Sequence, residues 1–468
     1  MLVKVLLTVI FMLFAISGIV PSFAQTTSGF TNAVRLSDVS YDSHTPSILV
    51  SNDGVFAIWM GIQSGRSDIF FAKSADGGNT FGAPINLSAD THGQSAYAAF
   101  AQKGKDVYVV WQTSLTGTAD VYLAKSTDGG DTFGKPVLIS DSTKLAAFPQ
   151  LAVSDNHVYF SWLEMAEDNS TNIVFAKSDD GANTIGNLTY MTSHSGNSGL
   201  PKLVATGSQV YLVWEDNSQK NFEIYLRKSN DYGSTFDTPV DISTNSGQSG
   251  TPQIVVSNDK VYAVWMDDTS GNFDILFAKS SDGGKSFGAP VNISKLHTDS
   301  GYPQLAVSGD NVYVTWTQTI VDPNYDVYFV KSTDGGNTFD EPVNVSKNLG
   351  PSGWPHIAAD GAIYISWVDS SPGKFDLYIT KSTDGGATFQ NYTNVSNSKT
   401  ESYNTQMALL NDVVYLAWEE GAKSNYTIMF NKSTTFVPEF GPLAAVALLV
   451  SIGAIIAVSS RSNLRNKF

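Results

Sequence analysis

KSTDGGNTF, Lys331 to Phe339, is the stretch on which the fold turns. It recurs as KSADGGNTF from Lys73, KSTDGGDTF from Lys125, KSDDGANTI from Lys177, KSNDYGSTF from Lys228, KSSDGGKSF from Lys279 and KSTDGGATF from Lys381, and decays to KSTTF at Lys432. An aspartate such as Asp334 can fold its carboxylate back onto the N–H groups ahead of it, and Gly335 and Gly336 can take positive φ without a Cβ clash. Thr338 can add a side-chain hydrogen bond, and Phe339 can plug the turn into a core. A catalytic group is needed once, whereas this turn is written into every repeat, so it reads as a folding device.

Working outward, Trp59, Trp111, Trp162, Trp214, Trp265, Trp316, Trp367 and Trp418 step by 51 or 52 residues. Around each lie four short strand patterns, as in the sixth repeat: Pro303–Ser308, Val312–Trp316, Asp326–Ser332 and, after the turn, Pro342–Ser346. Four antiparallel strands rich in β-branched and aromatic residues make a propeller blade. First strands are expected at Pro46, Ala98, Pro149, Pro201, Pro252, Pro303, Pro355 and Thr405, but the last repeat runs out at Phe436 without a fourth strand. NAVRLS, Asn32 to Ser37, matches the pattern of the missing strand. The expectation is an all-β, eight-bladed β-propeller over residues 30–436, with the N-terminal strand completing the last blade and removing two exposed edges.

The ends read differently. Residues 1–24 combine Lys4, an apolar run from Val5 to Val20 and the small-x-small site Ser22-Phe23-Ala24, the pattern of a secretory signal peptide. Residues 437–441 hold Pro438, Glu439, Phe440 and Gly441; residues 442–460 are an apolar stretch of transmembrane type, and the tail 461–468 is basic. The body is therefore expected outside the cell and the tail inside. A chain of 468 residues with 42% hydrophobic and 15% charged residues and 39 glycines suits an ordered, turn-rich β protein. The absence of cysteine excludes a disulfide framework and thiolate chemistry. A net charge of −16 disfavours nucleic acid as a partner. Nine Asn-x-Ser/Thr sequons are compatible with a glycosylated exterior.

The turn S-x-D-x-G-x-T-F resembles the Asp-box, or BNR repeat, of sialidases, in seven good copies carried by Asp76, Asp128, Asp180, Asp231, Asp282, Asp334 and Asp384. The resemblance implies a sialidase-like propeller with the box between third and fourth strands, away from the ligand face. It also implies a test, because sialidases converge three arginines on the substrate carboxylate. Outside the tail this chain has only Arg35, Arg66 and Arg227, in three different repeats, and lysine does not reproduce the planar fork. The last thirty or so residues resemble the PEFG-CTERM sorting tails of archaeal surface proteins, which implies an archaeosortase-type processing enzyme as a partner and a lipid anchor; a retained single-span helix is the alternative.

Candidate binding residues are those the repeat does not copy. The residue before each first strand varies (Thr45, Tyr97, Phe148, Leu200, Thr251, Tyr302, Trp354, Asn404), and Tyr97, Phe148, Tyr302 and Trp354, with His356, are the ligand-binding candidates, aromatic faces being suited to sugar rings. Packing of the channel rim is the alternative reading. His44, His92, His194 and His297 fall in the loops leading to that rim without short ligand spacing, so no metal or other cofactor is expected. Carboxylates two residues after the register tryptophan (Glu164, Asp216, Asp267, Asp369, Glu420) could act as acid and base, but a position that recurs favours a structural role. No catalytic residue is assigned. The expected function is a non-catalytic, surface-anchored propeller binding extracellular glycans or proteins; the alternatives are an exo-glycosidase of sialidase-like fold and a structural cell-envelope protein.

Overall fold

The computed structural model describes residues 29–433, apart from 194–195, 322–323, 349 and 424. The signal-peptide, PEFG, apolar and basic segments at the two ends, and His194, lie outside the described residues. Within them the chain is all-β: thirty-two strands, numbered here β1–β32 in chain order, and no helix long and apolar enough to cross a membrane.

The sixth unit shows why these residues pair as they do. β22 (Ser300–Ser308), β23 (Asn311–Val321), β24 (Asn324–Ser332) and the two-residue β25 (Val343–Asn344) form an antiparallel sheet in sequence order. Trp316 lies opposite Tyr328 at the centre, and Val312 lies opposite Ser332 at the turn end. Six sheets are four-stranded; the second and third units are joined into one eight-stranded sheet by a single parallel pair, Leu145 with Ala119. β1 (Val34–Arg35) pairs antiparallel with β32 (Tyr426–Lys432), so the first and last described strands share a sheet.

Two boundaries differ from the sequence expectation. Fourth strands are only two residues long, because only two residues of each run pair with the third strand, as Val343 and Asn344 do with Phe329 and Tyr328. First strands begin about four residues early, as in β2 (Asp42–Ser51), because each continues through a β-bulge placed at the expected starting residue.

The core lies between neighbouring sheets. Tyr262, Val264, Ile275 and Phe277 of the fifth unit pack on Val312, Val314 and Trp316 of the sixth. Val55, Ala57 and Trp59 of the first unit pack in the same way with Tyr415, Ile428 and Phe430 of the eighth. All eight register tryptophans are buried. Most anchor their indole N–H two residues on, for example Trp214 to Asp216, Trp316 to Gln318 and Trp418 to Glu420.

The recurrent turn is a double fastener. Asp334 Oδ1 accepts from the N–H groups of Asn337 (2.9 Å) and Thr338 (3.0 Å), Oδ2 from the Thr338 hydroxyl (2.7 Å), and Ser332 Oγ accepts from Gly336 N–H (2.8 Å). The same turn also clasps the preceding sheet. Phe339 meets Phe277 edge-on at 4.8 Å, and a Cβ on Gly336, at φ +78°, would come within 2.5 Å of the Phe277 ring. Lys279 of the preceding unit donates to Gly335 O and Asn337 Oδ1. At the junction of the last and first units, Lys432 donates to Gly77 O and Phe81 meets Phe430 at 4.8 Å.

Candidate functional site

The end of the sheets opposite the recurrent turn is built by the bulges. In all eight first strands the register slips at the variable position, as between Gly353 and His356. The residues there take positive φ: Thr45 50°, Tyr97 52°, Phe148 54°, Leu200 45°, Thr251 52°, Tyr302 54°, Trp354 52° and Asn404 47°. For β-branched and bulky residues this is a strained conformation, of order 1–3 kcal/mol each, sustained by the surrounding sheet. The strain turns the side chains out of the pleat: Tyr97 is 51%, Tyr302 53%, Trp354 43% and Phe148 37% exposed.

Four of these bulges are held by the side chain one residue after the preceding unit's register tryptophan. Phe148 N–H donates to Gln112 (3.4 Å), Thr251 N–H to Glu215 (3.2 Å), Trp354 N–H to Thr317 (3.1 Å) and Thr45 N–H to Glu419 (2.6 Å). Glu419 is buried, and its carboxylate also accepts from Asn404 (2.6 Å) and faces His44 Nδ1 at 3.1 Å, while His44 Nε2 meets Asp42 at 3.1 Å. The Glu419 hydrogen bond, aided by Asp42 and opposed by burial, raises the His44 pKa above its ordinary 6.5. With Trp354, Tyr403, Asn404 and Tyr426, Glu419 lines a cavity of about 320 Å³. Ring contacts run through it, Trp354 to Phe375 at 6.4 Å, Phe375 to Tyr403 at 5.2 Å, Tyr403 to Tyr426 at 6.3 Å and Tyr426 to His44 at 5.4 Å.

A second cavity, about 310 Å³, opens between Phe148 and Tyr302 and is floored by Gln150, Lys202, Gln253 and Gln304. The Lys202 ammonium makes no hydrogen bond or ion pair among the described residues, and burial lowers its pKa. His356 occupies the corresponding place in the seventh unit, where burial pushes its pKa down to about 4. The depressed value keeps the imidazole neutral near pH 7, and the residue is half-buried where Trp354, two positions earlier, is exposed. A larger hollow of 530 Å³ lies on the turn face between Lys73–Ile85 and Gly130–Asp131, but its Lys73 and Asp131 are paired at 2.7 Å and its walls are the recurrent turn itself.

The structure gathers Tyr97 with Phe148 (ring centroids 4.5 Å apart) and Tyr302 with Trp354 (6.3 Å). The carboxylates two residues after the tryptophans are drawn into their own sheets: Asp216, Asp267 and Asp369 accept from Ser198, Ser249 and Ser352, and Glu164 pairs with Lys144 at 2.7 Å and with Tyr190. Arg66 is bonded to Asp68 and to the carbonyls of Ser88, Ala89 and Thr91; Arg35 lies in β1 and Arg227 in β16 (Glu223–Ser229), so the three stand on three sheets. Among the described residues no group of three or more acidic or histidine side chains is placed to hold a metal. Sequence reasoning missed Glu419, Glu215 and Lys202. The signal was in the column after the register tryptophan, where only the fourth and eighth repeats carry an acid.

No family model matches the chain, and no curated protein matches it. Among solved structures it is similar to the polysaccharide lyase Uly1 (11% identity, 75% of this chain and 91% of that one, TM-score 0.49). It is also similar to an ulvan lyase of a new polysaccharide lyase family (12%, 76% and 92%, TM-score 0.47) and a Trypanosoma rangeli sialidase (12%, 67% and 58%, TM-score 0.37). These neighbours are glycan-active enzymes. At such identities and TM-scores the likenesses carry no argument about this chain's chemistry, which rests on its own geometry.

Proposed function

We propose that the protein is an exported, surface-anchored propeller of eight blades that binds extracellular glycans at the end opposite the Asp-boxes. One observation carries the binding reading: exposed aromatic rings are held out on strained, left-handed bulges beside two cavities, one lined by Gln150, Gln253 and Gln304 and the other by Asn404 and Glu419. Rings stack on the C–H faces of sugars and amides bond their hydroxyls, the mixture that small-ligand sites use. A ring of eight blades is supported by the contacts between the last and first units, which repeat those between other neighbours: Phe81 on Phe430, Lys432 on Gly77, and a shared core. The surface location, the PEFG-directed sortase partner and the anchor are proposed from the terminal sequences alone. A glycan array probed with the wild-type and with Trp354→Asn and Tyr302→Asn variants tests the binding reading. Loss of signal in both variants is expected; array binding untouched by either substitution rejects the rim as the site.

A second reading, a glycan-processing enzyme, is favoured by Glu215. Burial raises its carboxyl pKa, against the hydrogen bond from Thr251, and a general acid must hold its proton at working pH. Release of chromophore from an aryl-glycoside panel, abolished in Glu215→Gln, would establish it in place of simple binding.

A further inference from the structure

We infer that the mouth carries two carbohydrate platforms, Tyr97–Phe148 and Tyr302–Trp354, related by a higher-order repeat of four units, so that one chain engages two sugars. This rests on the glycan reading above and extends it to a second site.

The bulge residues read Thr, Tyr, Phe, Leu in the first four units and Thr, Tyr, Trp, Asn in the next four. The residues after the register tryptophans read Met, Gln, Leu, Glu and then Met, Thr, Val, Glu. Two independent columns thus repeat with a period of four units, twice over. The backbone is alike at all eight bulges, but the ring pairs and the N–H anchors recur at the four-unit spacing. Both aromatic pairs stand on bulges of nearly equal φ, 52° and 54° in the first pair, 54° and 52° in the second. Their rings are tilted at 55° and 46°, and the second member of each is fixed through its N–H, Phe148 to Gln112 and Trp354 to Thr317. The flanking threonines are held alike, Thr251 by Glu215 and Thr45 by Glu419. The remaining four bulges carry no aromatic ring, although their backbone is the same, so the bulge does not itself require one.

Exposure supplies the functional argument. A ring serving only to pack would be covered, yet each of the four keeps more than a third of its surface open at a strained backbone position. A sugar face is the ligand chemistry that suits a half-exposed ring beside amide groups. The edges differ: Phe148 and Tyr302 both border the cavity that holds Lys202 and Gln150, while Trp354 alone of the four rings borders the cavity that holds Asn404 and Glu419. The two platforms therefore take the same kind of ring with different hydroxyl contacts. Engaging two sugars of one polymer raises avidity without new contacts.

The test soaks crystals of the full ectodomain in methyl glycosides of glucose, galactose, mannose and N-acetylglucosamine, and in parallel measures saturation-transfer NMR in solution. Asparagine, already present at Asn404, is compatible with the left-handed bulge, so Tyr97→Asn/Phe148→Asn and Tyr302→Asn/Trp354→Asn are variants designed to fold. The expected result is sugar density over both pairs for a glycoside that binds, lost at one pair only in each double variant, with the NMR signal falling about twofold in each and to baseline in the quadruple variant. Density over Tyr302–Trp354 alone, with Tyr97→Asn/Phe148→Asn indistinguishable from wild type, overturns the Tyr97–Phe148 platform and with it the two-site inference, while leaving glycan binding standing. Density over neither pair with every glycoside, and no NMR signal, overturns both.

Discussion

The two ends of the sheets are made from the same repeats and behave oppositely. At the turn face the serine, the aspartate and the hydroxyl four residues after it are copied in seven units and spent within the turn: Asp334 accepts three hydrogen bonds from Asn337 and Thr338, Gly336 is pressed against Phe277, and Lys279 reaches across to the next turn. At the bulge face the backbone is copied but the side chains are not, and strain, exposed rings and a Lys202 ammonium unpartnered among the described residues are retained. Identity under repetition marks the residues that hold neighbours together; variation on a conserved backbone conformation marks those free to meet something else.

Substitutions of opposite sign at the two ends test that contrast. Gly336→Ala at the turn face adds a Cβ against Phe277 at a positive φ and is expected to cost about 2–4 kcal/mol in denaturant unfolding. Gly385→Ala, with the same sense of φ (+69°) and nothing within 4 Å, should cost only about 1 kcal/mol; equal losses in the two would break the clasp interpretation. At the other end Trp354→Asn should leave the unfolding midpoint unchanged or raise it, since strain is relieved, while weakening glycan binding about tenfold, or ~1.4 kcal/mol. A stability loss comparable to that of Gly336→Ala would make Trp354 a packing residue.

Acid should separate the ends by pH. Asp180 and Asp231 sit at about 2, below the ordinary 3.8, chiefly because the N–H groups of Thr184 and Thr235 and nearby hydroxyls donate to them. A carboxylate depressed in the folded state contributes stability that is whole above its unfolded value and is lost as pH falls through the folded one, so the turns loosen between about pH 4 and 2. His356, pushed down to about 4 by burial, refuses a proton that the unfolded chain accepts, so its contribution falls between about pH 6.5 and 4. His44 works in the opposite sense, its stabilisation being present at low pH and lost as pH rises through its raised folded-state value. Unfolding midpoints measured against pH should show the upper fall diminished in His356→Gln, with glutamine already at this place in Gln150, Gln253 and Gln304, and the lower fall unchanged; an identical profile would remove His356 from the account. The smallest effect is expected at the hook, where Lys279→Met should cost less than about 1 kcal/mol because the ammonium's bonds to the Gly335 carbonyl and the Asn337 amide are partly solvated.

The strand-rich units could be read from the tryptophan period and the turn chemistry, because both are set by local sequence. Trp354 and Tyr302 could be singled out as departures from the repeat. Their left-handed backbone could not: six of the eight bulge residues precede proline, which reads locally as an ordinary strand start, and the bulge appears only once the first strand is paired with its neighbour. Glu419 was hidden for a similar reason. Its partners Thr45 and His44 are some 375 residues away in sequence, and nothing in the eighth repeat announces them. The clasping lysine was visible in every copy of the motif, yet its target lies in the next unit, so a motif read singly shows only half of its role.

The sharing of one sheet by β1 and β32 also sets an order in time. Thr31 bonds the side chain of Asn431, four hundred positions later, and its N–H bonds Lys432 O at 3.0 Å. The first described strand to be synthesised is thus among the last to find its partner, and until then the final sheet has an open edge. Closing so long a loop costs chain entropy before any contact repays it, which makes this seam a slow step of folding and its unpaired edge the surface most exposed to wrong partners meanwhile.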